Sequence, residues 1–140
     1  MKAFTGPLAE LKEYQELTEY IDQRKLPVMA TGCMDSQKCH LIHALGEKFP
    51  FRLIITYSDL KAKEICEDYK LYSRDCYVYP AKDIIFFSAD IHGNTIIRDR
   101  LGIIRRIIED RPVTVVASLD AGLDRVLPLA FIRKQIMTVA

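Results

Sequence analysis

The sequence predicts an α/β protein built on a mostly parallel sheet with helices on both faces. Strand-length apolar runs alternate with helix-length amphipathic segments at a spacing that suits crossover connections. The six prolines all fall where one periodic segment stops or the next starts, and none interrupts a helical pattern. The densest apolar stretches, such as Val113-Thr114-Val115-Val116-Ala117, are no longer than a strand.

Residues 8–24 read as the first helix, with Leu11, Tyr14, Leu17 or Thr18, and Ile21 recurring every three or four positions. A short strand is expected over 28–31, running into Gly32. Residues 36–47 form the next helix, with Cys39, Ile42, His43 and Gly46 near one face and with Gly46 and Pro50 bracketing its end. A buried strand follows at 53–57, then a helix over 59–72 that turns Ala62, Ile65, Cys66 and Tyr69 inward. Residues 76–79 make a third strand. Residues 80–94 form a longer irregular connection carrying the apolar run Ile84-Ile85-Phe86-Phe87. The segment 84–91 is expected to be covered, packed against parts of the protein outside this chain. The clearest helix spans 94–110, where Ile97, Leu101, Ile104 and Ile108 make one stripe, widened by Ile103 and Ile107. A fourth strand spans 113–117, and Pro128 opens a short helix over 129–135. Residues 136–140 read as a strand with no evident partner. Residues 1–135 are therefore expected to form one α/β subdomain, and 136–140 to begin the next domain of a longer protein.

A chain of 140 residues is long enough for one domain with a hydrophobic core. Its net charge of +1 lacks the basic excess of a protein that binds nucleic acid by bulk phosphate neutralisation. No run approaches the roughly 18 apolar residues of a membrane span, and the N-terminus lacks the apolar region of an export signal. The expected location is therefore the cytoplasm. The four cysteines, Cys33, Cys39, Cys66 and Cys76, contain no C-x-x-C pair and are expected to be free thiols.

Ligands of parallel sheets bind beyond the carboxyl ends of the strands. That directs attention to the first strand-to-helix turn, Gly32-Cys33-Met34-Asp35-Ser36-Gln37-Lys38-Cys39. Gly32 and Lys38 match the phosphate-loop pattern G-x-x-x-x-G-K-[ST] in register. Gln37 replaces the second glycine, which would let backbone N–H groups approach a phosphate. Cys39 replaces the hydroxyl that would hold Mg²⁺, and a thiol is a poor ligand for that hard cation. Asp35 would repel a phosphate by about 4 kcal/mol for unit charges near ~4 Å at an effective dielectric of ~20. Asp35 or Ser36 is expected to cap the following helix, with the carboxylate filling the electropositive helix end. Replacing Asp35 with Ala would then cost about 1 kcal/mol. Gly32, Asp35, Ser36, Gln37, Lys38 and Cys39 thus form a vestigial phosphate loop, with no catalytic residue, cofactor or metal expected. An ordinary turn carrying a solvated lysine is the simpler alternative.

Two further clusters have bland explanations. Cys33, Cys39, His40 and His43 lie close in sequence, but zinc needs about four convergent ligands. Packing of Cys39 and His43 against the sheet is the better expectation. Arg98, Arg100, Arg105, Arg106 and Arg111 give the longest helix a basic aspect, and with Asp99, Glu109 and Asp110 nearby a solvated face is expected.

Several segments taken in order resemble one family. They are Gly32 through Lys38, Leu53-Ile54-Ile55-Thr56-Tyr57-Ser58-Asp59-Leu60-Lys61-Ala62, Tyr79-Pro80-Ala81-Lys82-Asp83, Ala89-Asp90-Ile91-His92-Gly93-Asn94, Arg100-Leu101 and Arg125-Val126-Leu127-Pro128. Together they resemble the N-terminal module of the bacterial transcription-repair coupling factors, the Mfd family, over essentially the whole chain. The resemblance implies a P-loop, helicase-like (RecA-like) fold similar to the excision-repair subunit UvrB and split by an inserted domain. This chain would be the first part of that split domain. It implies a non-catalytic scaffold within a parent ATPase that moves on double-stranded DNA, displaces RNA polymerase stalled at lesions and recruits UvrA. UvrA contacts would lie mainly in the inserted domain, and ATP and Mg²⁺ would belong to the parent's translocase domains.

The departures from UvrB are as informative. Gln37 and Cys39 replace its glycine and hydroxyl residue, the segment 79–94 lacks its tyrosine-rich DNA-clamping hairpin, and no D-E-x-x motif occurs. Ser58-Asp59-Leu60-Lys61 corresponds to a DNA-backbone-contacting motif of related helicases, although a helix cap by Ser58 accounts for it equally well. Two other functions compete. An active P-loop enzyme such as a nucleotide kinase is opposed by Gln37, Cys39 and the missing acidic motif. A single-stranded-DNA-binding helicase fragment is opposed by the near-neutral charge.

Overall fold

The computed structural model describes residues 5–81, 90–124, 126 and 128–135; for residues 90–94, 129, 134 and 135 the backbone alone is described. The chain forms two compact units, Met1–Lys48 and Phe49–Ala140.

In the first unit a 3₁₀ turn, Pro7–Glu10, precedes helix α1, Lys12–Asp22, and helix α2 spans Asp35–Gly46. The single helix expected over 8–24 breaks at Leu11, whose extended backbone (φ −82°, ψ 127°) starts α1 afresh. At the far end Arg24 takes a left-handed conformation (φ 55°), and the Lys25 N–H closes onto the Tyr20 carbonyl at 2.9 Å. Tyr14, Leu17, Thr18 and Ile21 are only half-buried, so α1 has an amphipathic face but no fully buried residue. Tyr14, Thr18, Asp22, Ala44, Leu45 and Lys48 line one groove, and Lys48 forms an ion pair with Asp22.

The strand expected over 28–31 does not form. Its residues are mostly exposed, Met29 most of all. A lone extended segment leaves its N–H and C=O groups to water and gains nothing over irregular chain.

The second unit contains strand β1 (Phe51–Thr56), helix α3 (Asp59–Lys70), strand β2 (Cys76–Tyr79), helix α4 (Asp90–Ile108), strand β3 (Val113–Ser118) and the short helices α5 (Leu119–Leu123) and α6 (Leu129–Gln135). The sheet is parallel throughout, in the order β1-β3-β2. Leu53 pairs with Val115 on one side, and Tyr77 pairs with Val115 on the other. All six residues of β3 are buried, as a central strand covered on both faces requires.

Each fully buried valine there contributes roughly 1.5–3 kcal/mol. Val113 and Val115 form a core cluster with Ile103 of α4, and Tyr77, Tyr79 and Ile107 pack around it. On the opposite face α3 buries Ala62, Cys66 and Tyr69, with Cys66 in contact with Cys76 of β2. Helices therefore cover both faces of this small sheet.

Two expectations about burial need correction. β1 is not a buried strand. It lies at the sheet edge, where Phe51, Leu53 and Ile55 are 45%, 52% and 58% exposed on one face. The inward stripe of α4 is also turned by about one residue. Arg100, Ile103 and Ile104 are buried and Ile107 and Ile108 half-buried, whereas Ile97 and Leu101 are exposed. The aliphatic stem of Arg100 takes an apolar place in that stripe.

α4 ends as α1 does, with Asp110 left-handed (φ 53°) and the Arg111 N–H on the Arg106 carbonyl at 3.0 Å. Residues 84–89 of the apolar segment, and the side chains of 90 and 91, lie outside the described residues, as do residues 136–140. No helix among the described residues is long and apolar enough to cross a membrane.

Candidate functional site

The phosphate-loop-like turn lies in the first unit and does not follow a strand. Gly32 has φ +81°, a left-handed conformation that favours glycine over any side chain. α2 then begins with Met34 as its N-cap residue (φ −70°, ψ 159°). Neither Asp35 nor Ser36 caps the helix, because both already sit inside its first turn. The cap comes from the other direction: the Met34 N–H donates to Gln37 Oε1 at 3.0 Å. This is the returning half of a capping box. Gln37, read from sequence as a lost glycine, thus occupies a backbone donor of the kind a phosphate would use.

Asp35 serves a different purpose. Lys38 Nζ donates to Asp35 Oδ1 at 2.8 Å, with the two side chains 57% and 58% exposed. The cation that would meet a phosphate is paired within its own turn. Cys39, in the hydroxyl position, is buried, and Ser36 is exposed.

His43 is buried beside Cys39 in the same helix, while His40 and Cys33 are half-buried. No group of three or more His, Cys, Asp or Glu able to hold a metal ion occurs among the described residues.

Ser58 caps α3, its Oγ accepting the Lys61 N–H at 3.2 Å. Ser118 caps α5 in the same way through the Ala121 N–H at 3.2 Å. Ser58, just past β1, and Ser118, the last residue of β3, are therefore both engaged as helix caps.

The arginines of α4 divide into two sets. Arg98 and Arg105 are exposed, and Arg105 donates to Glu109 at 2.7 Å while Arg111 reaches the other oxygen of Glu109 at 2.9 Å. The hydrogen bond from Arg105, helped by the charges of Arg105 and Arg111, holds the Glu109 carboxyl below the usual carboxylate range. Arg100 and Arg106 turn toward β2. Arg100 stacks on the Tyr79 ring at 4.6 Å, donates from Nε to the Pro80 carbonyl at 2.8 Å and meets Asp124 at 2.5 Å. Arg106 stacks on the Tyr77 ring at 4.6 Å and reaches Asp75 at 3.4 Å.

The sequence leads to the expectation of a solvated face, which Arg98 and Arg105 meet and which Arg100 and Arg106 do not. Tyr77 and Tyr79, two apart on a strand and so on one face, were the available signal for this pair of clamps.

No family model, no curated protein and no solved structure matches the chain.

Proposed function

We propose that the chain is a non-catalytic scaffold subdomain of a transcription-repair coupling factor. The parent protein would be an ATP- and Mg²⁺-dependent translocase on double-stranded DNA in the cytoplasm. It would displace RNA polymerase stalled at lesions and recruit UvrA for nucleotide excision repair. The chain itself would take neither nucleotide nor metal, and its turn at residues 32–39 would be a degenerate phosphate loop of a RecA-like fold.

The observation that carries this reading is the ion pair between Lys38 and Asp35 at 2.8 Å. It gives the lysine an internal anion in place of a phosphate, while Gln37 takes the Met34 N–H. The ordered set of family-like segments supports the wider assignment. Phosphoryl chemistry needs a cradle of free N–H donors and a metal-holding hydroxyl, and this turn offers Gln37 and a buried Cys39 in those places.

Thermal unfolding of the chain with Mg-ATP and with single-stranded DNA tests the reading. A ligand present at ~100 times its Kd stabilises by about 2.7 kcal/mol, which a melting curve resolves. No shift is expected with either. A nucleotide-dependent rise would return the enzyme reading, and a salt-sensitive rise with DNA would return the helicase-fragment reading.

A further inference from the structure

Edge strand β2 is flanked by a cleft of about 470 Å³ lying between α3 and α4. Two of the four cysteines, Cys66 from α3 and Cys76 from β2, line it. Their side chains are in hydrogen-bond contact with each other. They come from different elements, so only the packing of α3 on the strand brings them together. Four basic side chains, Lys63, Lys70, Arg98 and Arg106, share the cleft with two acidic ones, Glu67 and Asp99. Lys70 is tied to Glu67 at 2.8 Å, and Arg98 lies 3.9 Å from Asp99.

We propose that Cys66 and Cys76 form an oxidisable dithiol, a modification site whose co-substrate is a small hydroperoxide and whose product is a disulfide joining α3 to β2. The contact with Cys76, against the opposing effect of burial and with help from the positive charge of Lys70 that Glu67 partly offsets, holds the Cys66 thiol below its ordinary value and so favours the nucleophilic thiolate. Residues Cys66 and Cys76 are only 2% and 1% exposed, which shuts out bulky thiol reagents and confines the co-substrate to the smallest oxidants.

The Cys66 thiolate attacks one peroxide oxygen, the O–O bond breaks, and the departing hydroxide takes a proton to leave as water. The Cys66 sulfenic acid is then attacked by the Cys76 sulfur. The S–O bond breaks, the S–S bond forms at about 2.05 Å, and the Cys76 proton leaves with the hydroxyl as a second water. The two sulfurs together lose two electrons, and the peroxide gains them.

The test treats the folded 140-residue chain with hydrogen peroxide, blocks the remaining thiols by alkylation in denaturant and maps the peptides by mass spectrometry. The expected result is an intramolecular Cys66–Cys76 linkage, a fall in free thiols from four to two, and full recovery with dithiothreitol. In Cys76→Ser, a sulfenic acid trapped by dimedone should build up on Cys66. Cross-linked dimers through Cys66 or Cys76, irreversible sulfinic acid on Cys66 while Cys76 stays free, or an untouched pair at peroxide levels that oxidise Cys33 would each overturn the proposal. The wild-type peptide map decides the matter even if the Cys76→Ser variant does not fold.

Discussion

Two ion pairs of similar length sit in opposite settings. Arg100 and Asp124 meet at 2.5 Å with side chains 7% and 28% exposed, whereas Lys38 and Asp35 meet at 2.8 Å with more than half of each in water. The first belongs to the sheet-bearing unit and is fixed further by the Pro80 carbonyl and the Tyr79 ring. The second closes a single turn in the helical unit. Length therefore says little about strength. Water screens an exposed pair and side-chain entropy offsets it, while removing one partner of a buried pair strands the other.

The largest expected effect follows from the buried pair. Arg100→Ala should destabilise the chain by about 3 kcal/mol, read from urea unfolding followed by circular dichroism. A loss below ~1 kcal/mol would put Arg100 in the same class as an exposed pair and erase the contrast. Gln37→Ala should cost about 1 kcal/mol through the lost cap, with faster amide exchange at Met34 as its local signature. Unchanged exchange there would mean that the cap does not hold in solution. Asp35→Ala should cost about 0.5 kcal/mol or less, with even that vanishing in concentrated salt. A salt-independent loss as large as that of Arg100→Ala would break the comparison outright.

Much of the second unit was legible because its signals are local. The 113–117 run became β3 one residue longer, 76–79 became β2, and Ala62, Cys66 and Tyr69 turned inward as their spacing required. Ser58 was recognisable as a cap from residue type alone. The failures share a different cause. Residues 28–31 have strand-like composition, but a strand exists only with a neighbour, which composition does not supply. In α4 Ile103, Ile104, Ile107 and Ile108 turn inward as their spacing requires, while Ile97 and Leu101 stay exposed and the stem of Arg100, a residue that counts as polar by type, takes an inward place. At the turn, Gln37 was judged against a nucleotide motif, and its reach back to the Met34 N–H was overlooked. The Arg–Tyr stacks join segments about twenty to thirty residues apart, and the spacing of Tyr77 and Tyr79 puts both rings on one face without naming the arginines that meet them.

The order β1-β3-β2 places in the middle of the sheet the last of the three described strands. During synthesis β1 and β2 have no ladder to join until Val113 and its successors emerge. Every hydrogen-bonded pairing in the sheet then forms around one late arrival. A polypeptide halted before Val113 would carry two strand sequences and no sheet, leaving α3 and α4 without the floor they rest on.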